Sequence, residues 1–172
     1  MKTPLQPPRF RPATDVYAAH LRALAPRFGG AKVRLTGSRA FGVRYEKKVH
    51  AEMLRLFPDH YVPSPWFEFF DACGRRWCQP DGLLIDIAQQ EIVIVEVKSS
   101  HTGQAWWKLW HLYLPVVQAV FGPDFSYRCL EIVKYYDADE LFPFASLCEH
   151  IHLAPTAPHT GVHIMRLSAN RR

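Results

Sequence analysis

The amino-acid sequence predicts an α/β domain whose core is a mixed β-sheet flanked by helices, and three features predict it. Apolar residues recur at helical spacing in some stretches and in strand-like runs in others, in the order helix, strand, strand, strand, helix, strand. The three middle strands follow one another across short connections, which favours antiparallel pairing. The chain has 172 residues, 48% of them hydrophobic, enough for one domain with a real core.

Residues 1–13 hold four prolines and no periodic pattern, so they are expected to form a flexible arm ahead of a single domain over 14–172. A first helix is expected from Thr14 to about Phe28. There Val16, Ala19, Leu21, Leu24 and Ala25 recur behind a Thr14 or Asp15 cap, and Gly29 and Gly30 would end it. A second helix is expected from about Arg44 to Phe57, because Tyr45, Val49, Met53, Leu54 and Phe57 form a stripe and Pro58 stops it.

WFEFFD (66–71), a turn over 72–75, WCQPDGLLIDIA (77–88) and EIVIVEVKSS (91–100) then read as an antiparallel three-stranded meander. The stretch GQAWWKLWHLYLPVVQAVF (103–121) has helical spacing, with Pro115 expected to kink or divide it. FSYRCLEIVKYYD (125–137) reads as a further strand, LFPFASLCEHI (141–151) as a short helix or turn, and GVHIMRLS (161–168) as a last strand.

The 21 Lys and Arg against 16 Asp and Glu leave a net charge of +5, which favours an anionic partner such as nucleic acid. The basic N-terminus lacks the apolar core of a secretory signal, and no stretch approaches a membrane span. The four cysteines, Cys73, Cys78, Cys129 and Cys148, are too scattered for a disulfide scaffold. Together these lead to the expectation of a cytoplasmic, non-secreted protein with reduced thiols and no membrane contact.

EIVIVEVKSS carries Glu96 and Lys98 near its end, two opposite charges on one face of an otherwise apolar strand. Asp81, in QPDG, opens the preceding strand, and antiparallel neighbours put the start of one beside the end of the next. Asp81, Glu96 and Lys98 should therefore meet at one edge of the sheet. Two converging carboxylates make an oxygen-ligand pocket of the kind Mg2+ uses. Such a metal lowers the pKa of bound water and neutralises charge on a phosphate. Lys98 could orient or deprotonate that water, its own pKa depressed by metal and desolvation.

Pro80-Asp81 followed by Glu96-Val97-Lys98 resembles the PD-(D/E)xK nuclease superfamily, over roughly residues 42–136. That superfamily includes type II restriction enzymes, Holliday junction resolvases and lambda-type exonucleases. The resemblance implies a restriction-endonuclease-like core of helix, three-stranded meander, helix and further strand. It implies that Asp81 and Glu96 are metal ligands joined by the main-chain carbonyl of Val97, and that Lys98 positions the attacking water. Glu46, in GVRYEKKVHAEML, would hold that water or a second metal. The metal would be Mg2+ or Mn2+. The Gln-x-x-x-Tyr motif of the exonuclease-like branch is absent, since Gln104 is followed at that spacing by Lys108 and Gln118 by Gly122. The clustered cysteines of the iron-sulfur branch are absent too, so no cluster is expected.

Plainer readings stand beside these. QPDG is a strong turn sequence, and Glu96-Val97-Lys98 alone could be a surface ion pair. Glu52 shares a helix with Glu46, which in a first turn could serve only the helix dipole. Cys73 and Cys78 read as hairpin cysteines rather than zinc ligands, and His150, His152, His159 and His163 as packed or solvated side chains. Trp106, Trp107 and Trp110 read as core. Arg75 and Arg76, at a hairpin tip, and Ser99, Lys108 and His111 are the candidate nucleic-acid contacts.

The expectation is a metal-dependent nuclease hydrolysing phosphodiester bonds, on DNA in preference to RNA, of a repair, recombination, phage or mobile-element type. A homodimer would suit a reaction that cuts two strands. The alternatives are a catalytically inactive nuclease-fold protein that binds nucleic acid or a protein partner, and an unrelated α/β protein in which the motif is coincidental.

Overall fold

The computed structural model describes residues 11–26, 36–135 and 162–166. The predicted short helix over 141–151, His150, His152 and His159, and most of the proline-rich arm lie outside the described residues, while His163 falls on the last strand. Among the described residues eight strands are present: β1 (Ala18–Arg22), β2 (Tyr61–Pro63), β3 (Trp66–Asp71), β4 (Gly74–Cys78), β5 (Gly82–Asp86), β6 (Glu91–Ser100), β7 (Ser126–Tyr135) and β8 (Val162–Arg166). The helices are α1 (Gly37–Leu56), α2 (Gly103–Lys108) and α3 (Leu114–Phe121), the last two joined by a π-helical turn at Leu109–Tyr113. The fold is α/β, with a five-stranded mixed sheet in the order β2-β5-β6-β7-β8 and a three-stranded antiparallel sheet in the order β1-β3-β4.

The predicted meander is thus redistributed. WCQPDGLLIDIA is two strands in two sheets, because Gln79, Pro80 and Asp81 carry the chain from β4 to β5, and Pro80 has no N–H to continue a ladder. The third strand of the antiparallel set beside β5 and β6 is β2, three residues long and not foreseen. β6 then pairs in parallel with β7, and α2 to α3 supply the crossover that such pairing needs.

The first helix predicted over 14–28 is not formed where the chain is described; Ala18–Arg22 is a strand paired with β3. The apolar residues there do not share a face. Val16 and Ala19 pack on the core, whereas Leu21 and Leu24 are exposed. The open edge of β3 offers this segment a full ladder of backbone hydrogen bonds, which outweighs a weak amphipathic pattern.

The interruption expected at Pro115 takes the form of the π turn. Pro115 has no N–H to give the His111 carbonyl, and that carbonyl instead accepts the N–H of Ala13 at 2.8 Å. Leu114 reaches back one residue further than in an α-helix, to the carbonyl of Leu109. The chain just before β1 is thereby tied across the crossover helix.

β6 divides the core by alternation. Ile92 and Ile94 face the crossover helix and the small sheet, packing with Phe67, Phe69, Leu83, Leu109, Leu112 and Val116. Val93, Val95 and Val97 face α1, which buries Tyr45, Val49 and Met53 against them at four-residue spacing. Among the described residues, no helix is long and apolar enough to cross a membrane.

Gly82 has a specific reason to lack a side chain. A Cβ there would lie 2.3 Å from the Tyr61 hydroxyl and 2.5 Å from its ring. Its φ is not positive, so QPDG is here a close approach rather than a turn that needs glycine. Gly82→Ala should lower stability by about 1–3 kcal/mol, seen as a fall in Tm of roughly 3–10 °C in a thermal melt.

Candidate active site

The candidate site sits where β5 begins and β6 ends. Gly82 pairs with Val95, so Asp81, one residue earlier, falls beside Glu96. Its carboxylate is fixed by the backbone of the neighbouring strand, with Oδ2 accepting the Val97 N–H at 2.6 Å. The loop behind it is pinned as well. The Asp81 carbonyl accepts the Ser64 N–H at 2.8 Å, and Gln79 Nε2 donates to the Ser64 carbonyl at 2.8 Å.

Glu96 and Lys98 continue the Ile92 and Ile94 face of β6, so the crossover helix closes over them. The Glu96 side chain is fully buried, while Lys98 and Asp81 are 32% and 20% exposed. Lys98 Nζ lies 2.5 Å from Glu96 Oε1, 3.0 Å from the Val97 carbonyl oxygen and 3.7 Å from Asp81 Oδ2. The three groups expected to ligate a metal therefore surround one ammonium. Glu96 Oε1 also accepts from Lys108 Nζ at 2.7 Å, whereas buried Oε2 meets no hydrogen-bond donor.

The electrostatics show a cluster short of positive charge. Burial, and then the charge of Glu96, push the Asp81 carboxyl up to about 7. Burial draws the Lys98 ammonium down, but Glu96 and Asp81 outweigh it and hold its pKa above the ordinary value. Without a metal Lys98 is thus held protonated as a counter-ion, because two carboxylates stabilise its charge; the depressed pKa expected from the sequence is that of a lysine beside a bound metal. Burial also raises the Tyr113 phenol well above its usual range, helped by the charges of Glu96 and Asp81.

Glu46 lies at the rim, one-third exposed on α1, with Oε1 3.4 Å from His50 Nε2. The hydrogen bond to His50, and next the charges of His50, Lys98 and Lys108, hold its carboxyl below the usual value. Glu46 is thus electrostatically part of the cluster. Glu52, the alternative on the same helix, is instead paired with Arg55 on the surface. Asp81 and Glu96 lie on the Lys98 ammonium and Lys108 lies on Glu96, while Glu46 reaches both lysines through its charge alone.

The candidate nucleic-acid contacts are differently placed. Lys108 is not a surface phosphate contact; it is buried, with its ammonium on Glu96 and over the Tyr113 ring. The crossover helix turns that position inward, where a long side chain can reach the strand-end carboxylate. Arg75 and Arg76 sit at the turn end of β4, away from the end that leads to Asp81. Arg75 pairs with Glu68, and Arg76 with Asp71 and with the carbonyls of Arg11 and Pro12. Ser99 falls on the opposite face of β6 from Lys98. His111 packs against the rings of Trp106 and Trp107.

Lys108→Met removes one of the two cations on a buried carboxylate. It should cost about 2–4 kcal/mol in a urea or thermal melt, with Lys108→Arg recovering much of the loss.

Sequence reading missed His50, which joins Glu46 to the Tyr61 hydroxyl at 2.7 Å, and Glu131, which binds His101. His50 follows Glu46 by four residues, a helical spacing that carries the signal. Cys73 is exposed and Cys78 buried in the core, so they form no shared site. Among the described residues no three His, Cys, Asp or Glu side chains converge on a metal position. The candidate pocket instead combines two carboxylates with a main-chain carbonyl.

No protein-family model matches the chain, and no curated protein does.

Proposed function

We propose that the protein is a metal-dependent nuclease with a restriction-endonuclease-like core, acting on DNA in preference to RNA. One observation carries the reading. A cation, the Lys98 ammonium, is held among Asp81, Glu96 and the Val97 carbonyl, and these residues stand in Pro-Asp and Glu-x-Lys order on adjacent antiparallel strands.

The donor set fits a small hard cation. Glu96 Oε2 is buried without a donor, and the raised Asp81 pKa marks a carboxylate short of positive charge. Asp81, Glu96 and the Val97 carbonyl would hold Mg2+ or Mn2+, which when bound lowers the pKa of water and neutralises phosphate charge. Lys98, a partly exposed donor on the same face, orients the attacking water once its ammonium leaves the carboxylates. Glu46 at the rim accepts a hydrogen bond from that water. Lys108 holds Glu96 Oε1 by a hydrogen bond from below, and the crossover helix excludes solvent from that side.

The test is incubation with Mg2+ or Mn2+ and linear, circular, branched and single-stranded DNA and RNA, alongside Lys98→Ala. Metal-dependent cleavage that the variant lacks supports the reading; no cleavage with any substrate, or equal cleavage by the variant, overturns it. The rival is a catalytically inactive binder of the same fold, favoured by Glu96 Oε1 being already shared by two lysines. It predicts retention of nucleic acid without cleavage.

A further inference from the structure

Glu46 stands on α1 and Asp81 just ahead of β5, so their separation depends on how the helix is fixed to the sheet, and His50 lies between the two elements. Its Nε2 is 3.4 Å from Oε1 of Glu46, one helical turn earlier, and 3.4 Å from Ser64 Oγ. Its Nδ1 is 2.7 Å from the Tyr61 hydroxyl on β2. Ser64 and Tyr61 both lead to the start of β5. The Ser64 N–H donates to the Asp81 carbonyl at 2.8 Å, and Ser64 is held there at a φ of 46°, a left-handed conformation that a serine adopts when its surroundings impose it. The Tyr61 ring fills the space that Gly82, next to Asp81, leaves empty. Gly82 pairs with Pro63, and Tyr61 lies two residues from Pro63 on the same face. The imidazole is thus braced against the Asp81 strand by two routes, and its side chain is only 14% exposed.

The direction of each hydrogen bond follows from charge. The hydrogen bond to His50 is the first cause that holds the Glu46 carboxyl below its ordinary value, so Glu46 is an ionised acceptor and Nε2 carries the proton between them. Burial, and then the charges of Asp81 and Glu46, raise the Tyr61 phenol above its ordinary value, so the hydroxyl keeps its proton and donates it to Nδ1 of the neutral ring. We propose that His50 is the positioning residue for Glu46, and that Tyr61 and His50 together fix the Glu46 carboxylate relative to Asp81 so that the attacking water is presented to a phosphate held at Asp81 and Glu96. This rests on the nuclease reading above. His50 itself touches neither the substrate nor the reacting atoms.

The experiment uses the full chain with Mn2+ and a DNA that the wild type cleaves, below the melting temperature of each variant. His50→Leu should lower kcat by about 30- to 100-fold with KM changed by less than about 3-fold, the cost of a misplaced reacting group rather than of lost binding. Mn2+ affinity by calorimetry should stay within about 2-fold, since Asp81, Glu96 and the Val97 carbonyl are untouched. His50→Gln, whose amide N–H can take the place of Nε2–H, should recover most of kcat. Tyr61→Phe, which removes only the hydroxyl that orients the ring, should lower kcat by roughly 3- to 10-fold. In a Glu46→Gln background His50→Leu should cost no further rate. NMR of the nitrogen-labelled, metal-free wild type at pH 8 should show His50 as its Nε2–H tautomer. Equal losses in His50→Gln and His50→Leu, no loss in His50→Leu, losses that add to that of Glu46→Gln, or an Nδ1–H tautomer would each overturn the assignment. Should His50→Leu not fold, Tyr61→Phe alone and on Glu46→Gln, with the tautomer, decides. A wild type that cleaves nothing overturns the nuclease reading and this assignment with it, whereas a cleaving enzyme indifferent to His50 overturns the assignment alone.

Discussion

Asp81→Asn should yield a protein that is more stable than the wild type and inert. In the folded chain the carboxyl titrates at about 7 instead of its ordinary 3.8, because burial and the neighbouring Glu96 oppose its charge. Between those two values the folded state binds more protons than the unfolded one, so stability falls as pH rises through that window. Above it the charged side chain weighs fully against folding. Asparagine removes the charge yet can still accept the Val97 N–H through its amide oxygen. The gain in unfolding free energy should be about 1–3 kcal/mol at pH 8 in EDTA, and should vanish near pH 4. Melts across that range check it. Divalent binding and cleavage should fall together, cleavage by at least ~1,000-fold, because one of two carboxylate ligands is gone. A destabilised Asp81→Asn at pH 8 would mean that Asp81 serves the fold rather than a cation. Stability given up to hold a charge in place is the pattern of functional sites.

Lys98→Ala should separate binding from chemistry. Its ammonium lies at the centre of the oxygen cluster, so an incoming cation must displace it. Removing it takes away a competitor and one positive charge, while Glu96 Oε1 keeps Lys108. Calorimetry at pH 7.5 should show Mn2+ binding tighter by about tenfold or more, from removal of a nearby unit charge. Cleavage should nevertheless fall by roughly 100- to 10,000-fold, as expected for loss of a group that orients the nucleophile. Asp81→Asn and Lys98→Ala thus move metal affinity in opposite directions. Weaker Mn2+ binding in Lys98→Ala would show that the lysine is a scaffold and not an exchangeable cation.

What the sequence revealed follows from range. β6 announces itself by its apolar run, α1 and the crossover helix by their periods, and these elements carry most of the core. Asp81, Glu96 and Lys98 were legible because adjacent antiparallel strands convert a sequence separation directly into a meeting point. β1 was not legible, because its state is set by the open edge of β3 and not by its own pattern. The division of WCQPDGLLIDIA between two sheets was equally hidden, although Pro80 marks the break. Lys108 was read as a surface cation because its burial depends on how the crossover helix rotates over β6. Glu131 was illegible for the same reason, since its place beside Glu96 needs the parallel register that the crossover creates.

The most direct test is a crystal structure of the protein soaked in Mn2+, with the anomalous signal of manganese recorded. A peak within coordination distance of Asp81, Glu96 Oε2 and the Val97 carbonyl, with Lys98 Nζ moved off Glu96, is the expected result. A soaked crystal with no manganese there and Lys98 still on Glu96 would contradict the assignment of this cluster as a metal centre.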